Sequence, residues 1–281
     1  MSNNLDKEII TPLKIINKAF YSSLSGMIAM GSQVSLLMWM RTSVNYQYRN
    51  GGTIKNTFKS LYREGGLLRF YRGYSMAILQ APLSRFGDIA SYSITKQYGE
   101  QYDLSLPLQT GISTMATCMW RFLLMPIDTS KTMMQVHGNT GLSTLSNKIK
   151  THGIGSLYQG YTGTLGATMM GYYPWFLTFG YLDKNIPKGE SYILDLCRNA
   201  SIGFSASLAS DTISNSARVL KTIKQTDSSQ KSYLQHARSV GFSDLVTRGL
   251  GLKIVSNGLQ SAMFTVIWKY LDNILKHKSE K

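Results

Sequence analysis

Apolar residues in this chain fall in long blocks rather than at short period. Residues 19–40 (AFYSSLSGMIAMGSQVSLLMWM) contain no charged side chain, and neither do residues 104–120, 153–182, 199–210 and 254–268. A bilayer core of ~30 Å takes about 20 helical residues. The longer blocks reach that length, and their many small residues (Gly, Ala, Ser, Thr) suit close helix contact in lipid. A soluble bundle, the alternative, keeps a charged face on each helix; these blocks carry none. The pattern predicts an all-α protein whose long helices span a membrane.

Between the long helices lie short segments of a different kind. In the first, Ile54, Phe58, Leu61 and Tyr62 share one helical face, while Lys55, Lys59 and Arg63 take the other. That is the pattern of a helix lying in a membrane interface.

The arrangement repeats. GGLLRFYRGY ends at Tyr74, HGIGSLYQGY at Tyr161 and VGFSDLVTRGL at Leu250, which aligns Gly73, Gly160 and Gly249. Gln47, Gln135 and Gln225 mark the same period, and Tyr-Leu-Asp occurs at 181–183 and again at 270–272. The unit is too long for a solenoid repeat. It suits internal repeats of a transporter related by an axis along the membrane normal. The expected units are residues 17–100, 105–187 and 191–276 of one domain covering 1–281.

Charge refines this picture. The 281 residues carry 30 Lys+Arg against 15 Asp+Glu, yet only 16% are charged, well under the usual ~25%. Segments 47–73, 135–160 and 225–249 hold 11 basic and 3 acidic residues; segments 98–106 and 183–192 hold 2 and 4. Basic loops stay on the side from which helices insert, so the three inner loops share one compartment and both termini share the other. The start, MSNNLDKE, has neither a secretory apolar core nor the Arg-rich look of a transit peptide. Insertion through internal signals is expected.

Little points to catalysis. The chain has no GxxxxGK[ST], HExxH, Cys-x-x-Cys or nucleophile-elbow motif. Cys118 and Cys197 cannot build a disulfide scaffold, and four scattered histidines give no metal spacing. No enzyme activity, cofactor or metal is expected. A soluble basic protein binding nucleic acid would need its cations clustered with exposed aromatics, and the uncharged blocks oppose it.

Three units of long helix, short surface helix and long helix resemble the mitochondrial carrier family, over nearly the whole chain. The sharpest element is Pro126-Ile127-Asp128-Thr129-Ser130-Lys131, which is similar to that family's Pro-x-Asp-x-x-Lys signature. Proline removes a helix hydrogen bond, and Asp128 and Lys131, three apart, can both face a central cavity. Tyr71-Arg72-Gly73 is similar to the aromatic-basic-Gly mark before each even-numbered helix; Tyr158-Gln159-Gly160 and Thr247-Arg248-Gly249 are partial versions. The resemblance implies six transmembrane helices, an inner-membrane location with both termini in the intermembrane space, and a monomer. It also implies alternating-access transport of a small molecule, with no nucleic-acid partner. Cardiolipin is implied at Arg72, Gly73, Gly160 and Gly249, where helix starts offer free N–H groups; an ordinary helix start is the other reading.

The resemblance also implies two gates, and the chain departs from both. On the matrix side, Asp128, Lys131, Arg218 and Lys221 occupy gate places. Unit one has Met38, Met40 and Ser43 there, so Asp128 with Lys221 is the one acid–base pair between units. Lys131 should face Met40, and Arg218 should face Ser43. Arg41 lies one residue out of register. A ring with surplus cations should close weakly or be closed partly by an anion. On the cytoplasmic side, Lys96, Asp183, Lys269 and Asp272 form either a rewired latch or solvated helix ends.

Substrate contacts, by the same resemblance, fall near Gln80, Thr168, Ser256 and Asn257, none charged. Arg85, Asp88 and Arg121 add ionisable groups at membrane depth, where charge is costly and so marks function. Arg85 and Asp88 can satisfy each other at i, i+3. Arg121 has no acid nearby in sequence. The arginines favour an anionic metabolite or cofactor as cargo. The alternative is a carrier-fold adaptor or receptor that transports nothing.

Overall fold

A computed structural model describes residues 12–187, 189, 191–229, 231–260 and 263. Within these residues the regular structure is helical. The long helices are α1 (Pro12–Asn50), α3 (Tyr74–Gln101), α4 (Leu106–His137), α6 (Tyr161–Asn185) and α7 (Tyr192–Thr226), with α10 described over 250–260. Shorter helices α2 (Ile54–Phe70), α5 (Gly141–His152), α8 (Tyr233–Val240) and α9 (Phe242–Thr247) fill the loops after α1, α4 and α7. By mean hydropathy, none of the described helices is long and apolar enough to cross a membrane.

Sequence neighbours pack side by side. The Ser35 and Tyr74 hydroxyls lie 2.7 Å apart across α1 and α3, and Val34, Met38, Ala77 and Ala81 bury together there. Trp120 on α4 donates to the Leu83 carbonyl of α3. Tyr161 on α6 donates to the Cys118 carbonyl of α4. Asn257 on α10 donates to Asp211 on α7. Gln33 and Arg41 on α1 donate to the backbone and side-chain oxygens of Gln260 on α10. Gly163 on α6 packs against Lys221 on α7, so the helices close into a ring in chain order.

The ring narrows where α1, α4 and α7 end. Asn45 donates to Gln135, His137 Nε2 contacts the Thr226 carbonyl, and Arg49 pairs with Asp227 at 3.5 Å. Met40, Val44, Tyr48, Val219, Ile223 and Leu252 form a buried apolar cluster at the same end. The backbone of α1 leaves helical dihedrals at Leu37, although unit one has no proline there; Pro126 lies inside α4.

Basic side chains from the loops complete the helix ends in a cycle. Arg69 donates to the Gln135 and Val136 carbonyls of α4. Lys148 donates to the Lys224, Gln225 and Asp227 carbonyls of α7. Arg248 reaches the Arg49 carbonyl of α1 at 3.4 Å. Carbonyls of a last helical turn lack partners within the helix and favour cations. Each unit thus tethers the next, and the third tethers the first.

The loop helices bury a face slightly different from the one expected. In α2, Thr57 and Leu61 are buried and Phe58 packs on the core cluster, while Ile54 and Tyr62 stay exposed. Positions 57, 58 and 61 form the stripe that meets α1; Tyr62 lies ~100° round the helix from Leu61.

Candidate functional site

The interior of the ring is polar. Asp128, on α4, is 6% exposed. Its Oδ1 lies 2.6 Å from Lys131 Nζ and its Oδ2 lies 2.7 Å from Lys221 Nζ on α7. Gln225 donates to the same carboxylate and to Thr129 Oγ1. Lys131, expected opposite Met40, turns back to its own helix's acid and also donates to Gln80 Oε1 on α3. A half-buried ammonium needs acceptors, and Met40 offers none. One carboxylate thus serves two cations from two helices. Such charge-assisted bonds are short and strong.

Arg218 stands where an acid would complete the gate in unit three. It pairs with Asp211 at 3.1 Å and donates to Ser214, both on its own helix α7. The corresponding places in unit one, Met38, Met40 and Ser43, are buried.

Further along the ring, Arg121 meets Asp88 on α3 at 3.0 Å and donates to Thr168 Oγ1 on α6 at 2.7 Å. Its acid therefore comes from the neighbouring helix. Asp88 turns to Arg121 and not to Arg85, which is exposed and makes no ion pair among the described residues. Asn257 accepts from Lys253 at 3.1 Å while donating to Asp211, and the buried Ser256 accepts from Gln260. The expected contacts Gln80, Thr168 and Asn257 each bond a charged side chain.

Sequence reasoning did not single out Asp211 or Lys253. Both flank uncharged blocks, 199–210 and 254–268, by one residue. The repeat period also aligns Asp211 with Arg121 and Gln33. That alignment was the available signal.

At the other end of the ring, Lys96 pairs with Glu100 on its own helix at 3.9 Å, and Asp183 pairs with Arg198 at 2.9 Å. The structure does not bring Lys96 and Asp183 together. Lys269 and Asp272 lie outside the described residues.

The period-marking glycines precede α3, α6 and α10. Gly73, Gly160 and Gly249 have φ of +85°, +100° and +71°. Each packs on the next long helix: Gly73 on Gln135, Gly160 on Gln225, Gly249 on Tyr48. Arg72 is exposed beside the first.

The profile described as "Mitochondrial carrier protein" matches residues 12–103 and again residues 102–190. This chain belongs to the mitochondrial carrier family. The two matched stretches are its first two helix–loop–helix units. A relative, "Mitochondrial substrate carrier family protein A" of Dictyostelium discoideum, is 28% identical over 161 residues, which cover 53% of this chain and 49% of that protein. The match spans about half the length of that relative. Carrier membership accounts for the all-helical fold.

Among the described residues there is no group of His, Cys, Asp and Glu able to hold a metal ion.

Proposed function

We propose that this carrier moves a small anionic solute across the mitochondrial inner membrane by alternating access, with no chemical conversion. The observation that carries this reading is an inverted polarity. Charged and amide side chains (Gln33, Asp128, Gln135, Asp211, Gln225) are buried, while Met115, Met119, Leu123, Leu177 and Ile193 are exposed. Water-soluble proteins show the reverse, and a large exposed apolar surface marks contact with another apolar phase. A helix with lipid on one side and a polar cavity on the other has a low mean hydropathy, so window averages miss it.

Leu67, Ile154 and Phe242 occupy one place in the three units, and each is large, apolar and exposed; Phe242 is 86% exposed. In this reading they enter the lipid interface on the matrix side. Both termini then lie in the intermembrane space. The helix starts at Gly73, Gly160 and Gly249, with Arg72, would meet a lipid phosphate such as cardiolipin's.

Asp128, shared by Lys131 and Lys221, is the matrix gate, and Arg218 and Asp211 belong to the same closed layer. Gln80, Asp88, Arg121, Thr168, Ser256 and Asn257 line the solute's path. Arg121 draws on the solute's negative charge, and the energy of binding offsets the breaking of the Asp128 pairs. Lys96, Asp183, Lys269 and Asp272 belong to the opposite gate. The carrier works as a monomer.

Uptake into liposomes by the purified full chain tests this. Saturable uptake of an anion, abolished by Arg121→Ala while the melting transition persists, is the expected result. The buried Met40 and Ser43 in the gate places of unit one favour a second reading, a carrier-fold adaptor that transports nothing. No flux with any solute class would establish that reading.

A further inference from the structure

Side chains from all three units converge on the C-terminal end of α7. Arg49, in the last turn of α1, lies 3.5 Å from Asp227 Oδ1. His137, the last residue of α4, sets Nε2 3.0 Å from the Thr226 carbonyl oxygen. Lys148 on α5 is buried and spans the carbonyls of Lys224, Gln225 and Asp227. Unit three adds His236, buried on α8, whose Nδ1 faces Asp227 Oδ2 at 3.8 Å. Asp227 is itself fixed by two hydrogen bonds from Ser229.

His236 sits in this junction as a neutral ring. Its Nε2 is buried and has no hydrogen-bond partner among the described residues. Neutral imidazole tolerates this, because one of its two nitrogens carries no proton. Imidazolium carries a proton on both, and a charged N–H buried without an acceptor costs the full desolvation of that group. The surroundings already hold cations: Arg49, Lys148 and Lys224, whose Nζ lies 2.6 Å from the Lys231 carbonyl oxygen. Arg248 reaches the Arg49 carbonyl but is occupied by Asp244 at 2.7 Å. Asp227 is the acid that Arg49 and His236 share. The pKa of His236 is accordingly lowered, burial outweighing the pull of Asp227, with Lys224, Arg49 and Lys231 on the side of burial.

We propose that this junction is a proton-released clamp on the narrow end of the ring: a proton taken up at His236 unseats α8 from the end of α7, Asp227 loses its fixed place, and the Arg49 arm that ties unit one to unit three lets go. Met40 and Ser43 give the α1–α7 junction no gate ion pair, so Arg49–Asp227 is the ion pair that joins these two helices among the described residues. Lys148 and His137 hold backbone carbonyls, which His236 does not touch, so unit two keeps its grip while unit one is released. The closed junction holds His236 with one ring proton, and an opened junction exposes Nε2 to water and holds it with two. Acid therefore favours opening below about pH 6.5, and the clamp is complete above it. This deepens the gate of the transport reading and rests on that reading for what opening achieves, though opening can be measured without flux.

The test is the accessibility of Ser43→Cys, at a buried gate place of unit one, in the full-length carrier with Cys118→Ser and Cys197→Ser. Labelling by a water-soluble maleimide is expressed relative to Lys55→Cys, exposed on α2, in the same background, which divides out the ordinary pH dependence of thiolate attack. From pH 7.5 to pH 5.5 the ratio should rise about 3-fold or more. With His236→Gln it should stay flat. Arg49→Gln should raise it at pH 7.5, without acid. Should His236→Gln show no melting transition, His236→Phe takes its place and should also give a flat ratio. A ratio that does not rise with His236 present, or that rises equally with His236 replaced, would overturn the clamp. Labelling that depends on pH and His236 in a preparation without flux would leave the clamp standing and remove the transport reading. Flux with a flat ratio would do the opposite.

Discussion

At the scale of residues, the sharing of Asp128 by two lysines orders the cost of substitutions. Asp128→Asn leaves Lys131 and Lys221 half-buried, close together and uncompensated. Breaking a buried pair this way costs about 3–5 kcal/mol. Lys221→Gln is expected to cost clearly less, because Asp128 keeps Lys131 at 2.6 Å. Thermal melts of the two variants check the order; equal losses would mean that Lys131 does not hold the carboxylate alone. The Asp128–Lys221 contact lies where the repeat period aligned an acid with a base, because backbone position alone brings those residues opposite. The partners of Lys131 and Arg218 were not legible in that way. Both side chains are long enough to turn along their own helix, and they go to the nearest carboxylate. Arg121 likewise finds its acid one helix away, which no spacing within α4 could reveal.

Two elements carry predictions of their own. Gly160 has φ +100°, and a Cβ there would come within 2.5 Å of Gln225 Cγ and 3.3 Å of the Lys221 carbonyl oxygen. Gly160→Ala should therefore lose about 1–3 kcal/mol, through a strained backbone and the displaced Gln225. Gly203→Ala, in mid-α7 with open space around it, should instead be neutral or gain up to ~1 kcal/mol. Melting curves of the pair separate backbone strain from any general intolerance of added bulk. The position of Gly160 was legible from the repeat, but the close approach of Gln225 was not.

The second element is α8. His236 is 2% exposed and its ring Nδ1 lies 3.8 Å from Asp227 Oδ2. Burial holds its pKa below the ordinary value; Asp227 opposes this, while Lys224, Arg49 and Lys231 add to it. A lowered folded-state pKa means the unfolded chain takes up the proton first as pH falls. The stability His236 lends is thus complete above about pH 6.5 and is lost progressively as pH falls below it. Asp227, itself held below the usual carboxylate range mainly by its bonds to Ser229, stays ionised over that window. Between pH 7 and pH 5 the melting temperature should fall more in wild type than in His236→Gln. Parallel pH profiles would remove His236 from the junction's electrostatics.

At the scale of the whole molecule, the inverted polarity and the closed cycle of helix ends belong together. Arg69, Lys148 and Arg248 each hold the C-terminal end of the next long helix, so the three units tighten around one end of a polar interior. The repeat marks made the three units legible, because glycines and glutamines at the junctions must recur wherever the same packing recurs. The uncharged blocks made the long helices legible. They hid Asp211 and Lys253, which stand one residue beyond block edges and turn inward, since block averages do not distinguish the two faces of a helix. A chain built this way should remain with the membrane pellet after alkaline carbonate extraction, and release into the supernatant would argue that its exposed apolar faces do not meet lipid.

The most direct measurement is solute uptake into liposomes reconstituted with the full-length carrier, across nucleotides, phosphates, carboxylates, amino acids and amines. The expected result is saturable uptake of one class of anion, lost in Arg121→Ala and at least ~10-fold slower in Asp128→Asn. Uptake no faster than in protein-free liposomes for every class, from a preparation with an intact melting transition, would contradict it.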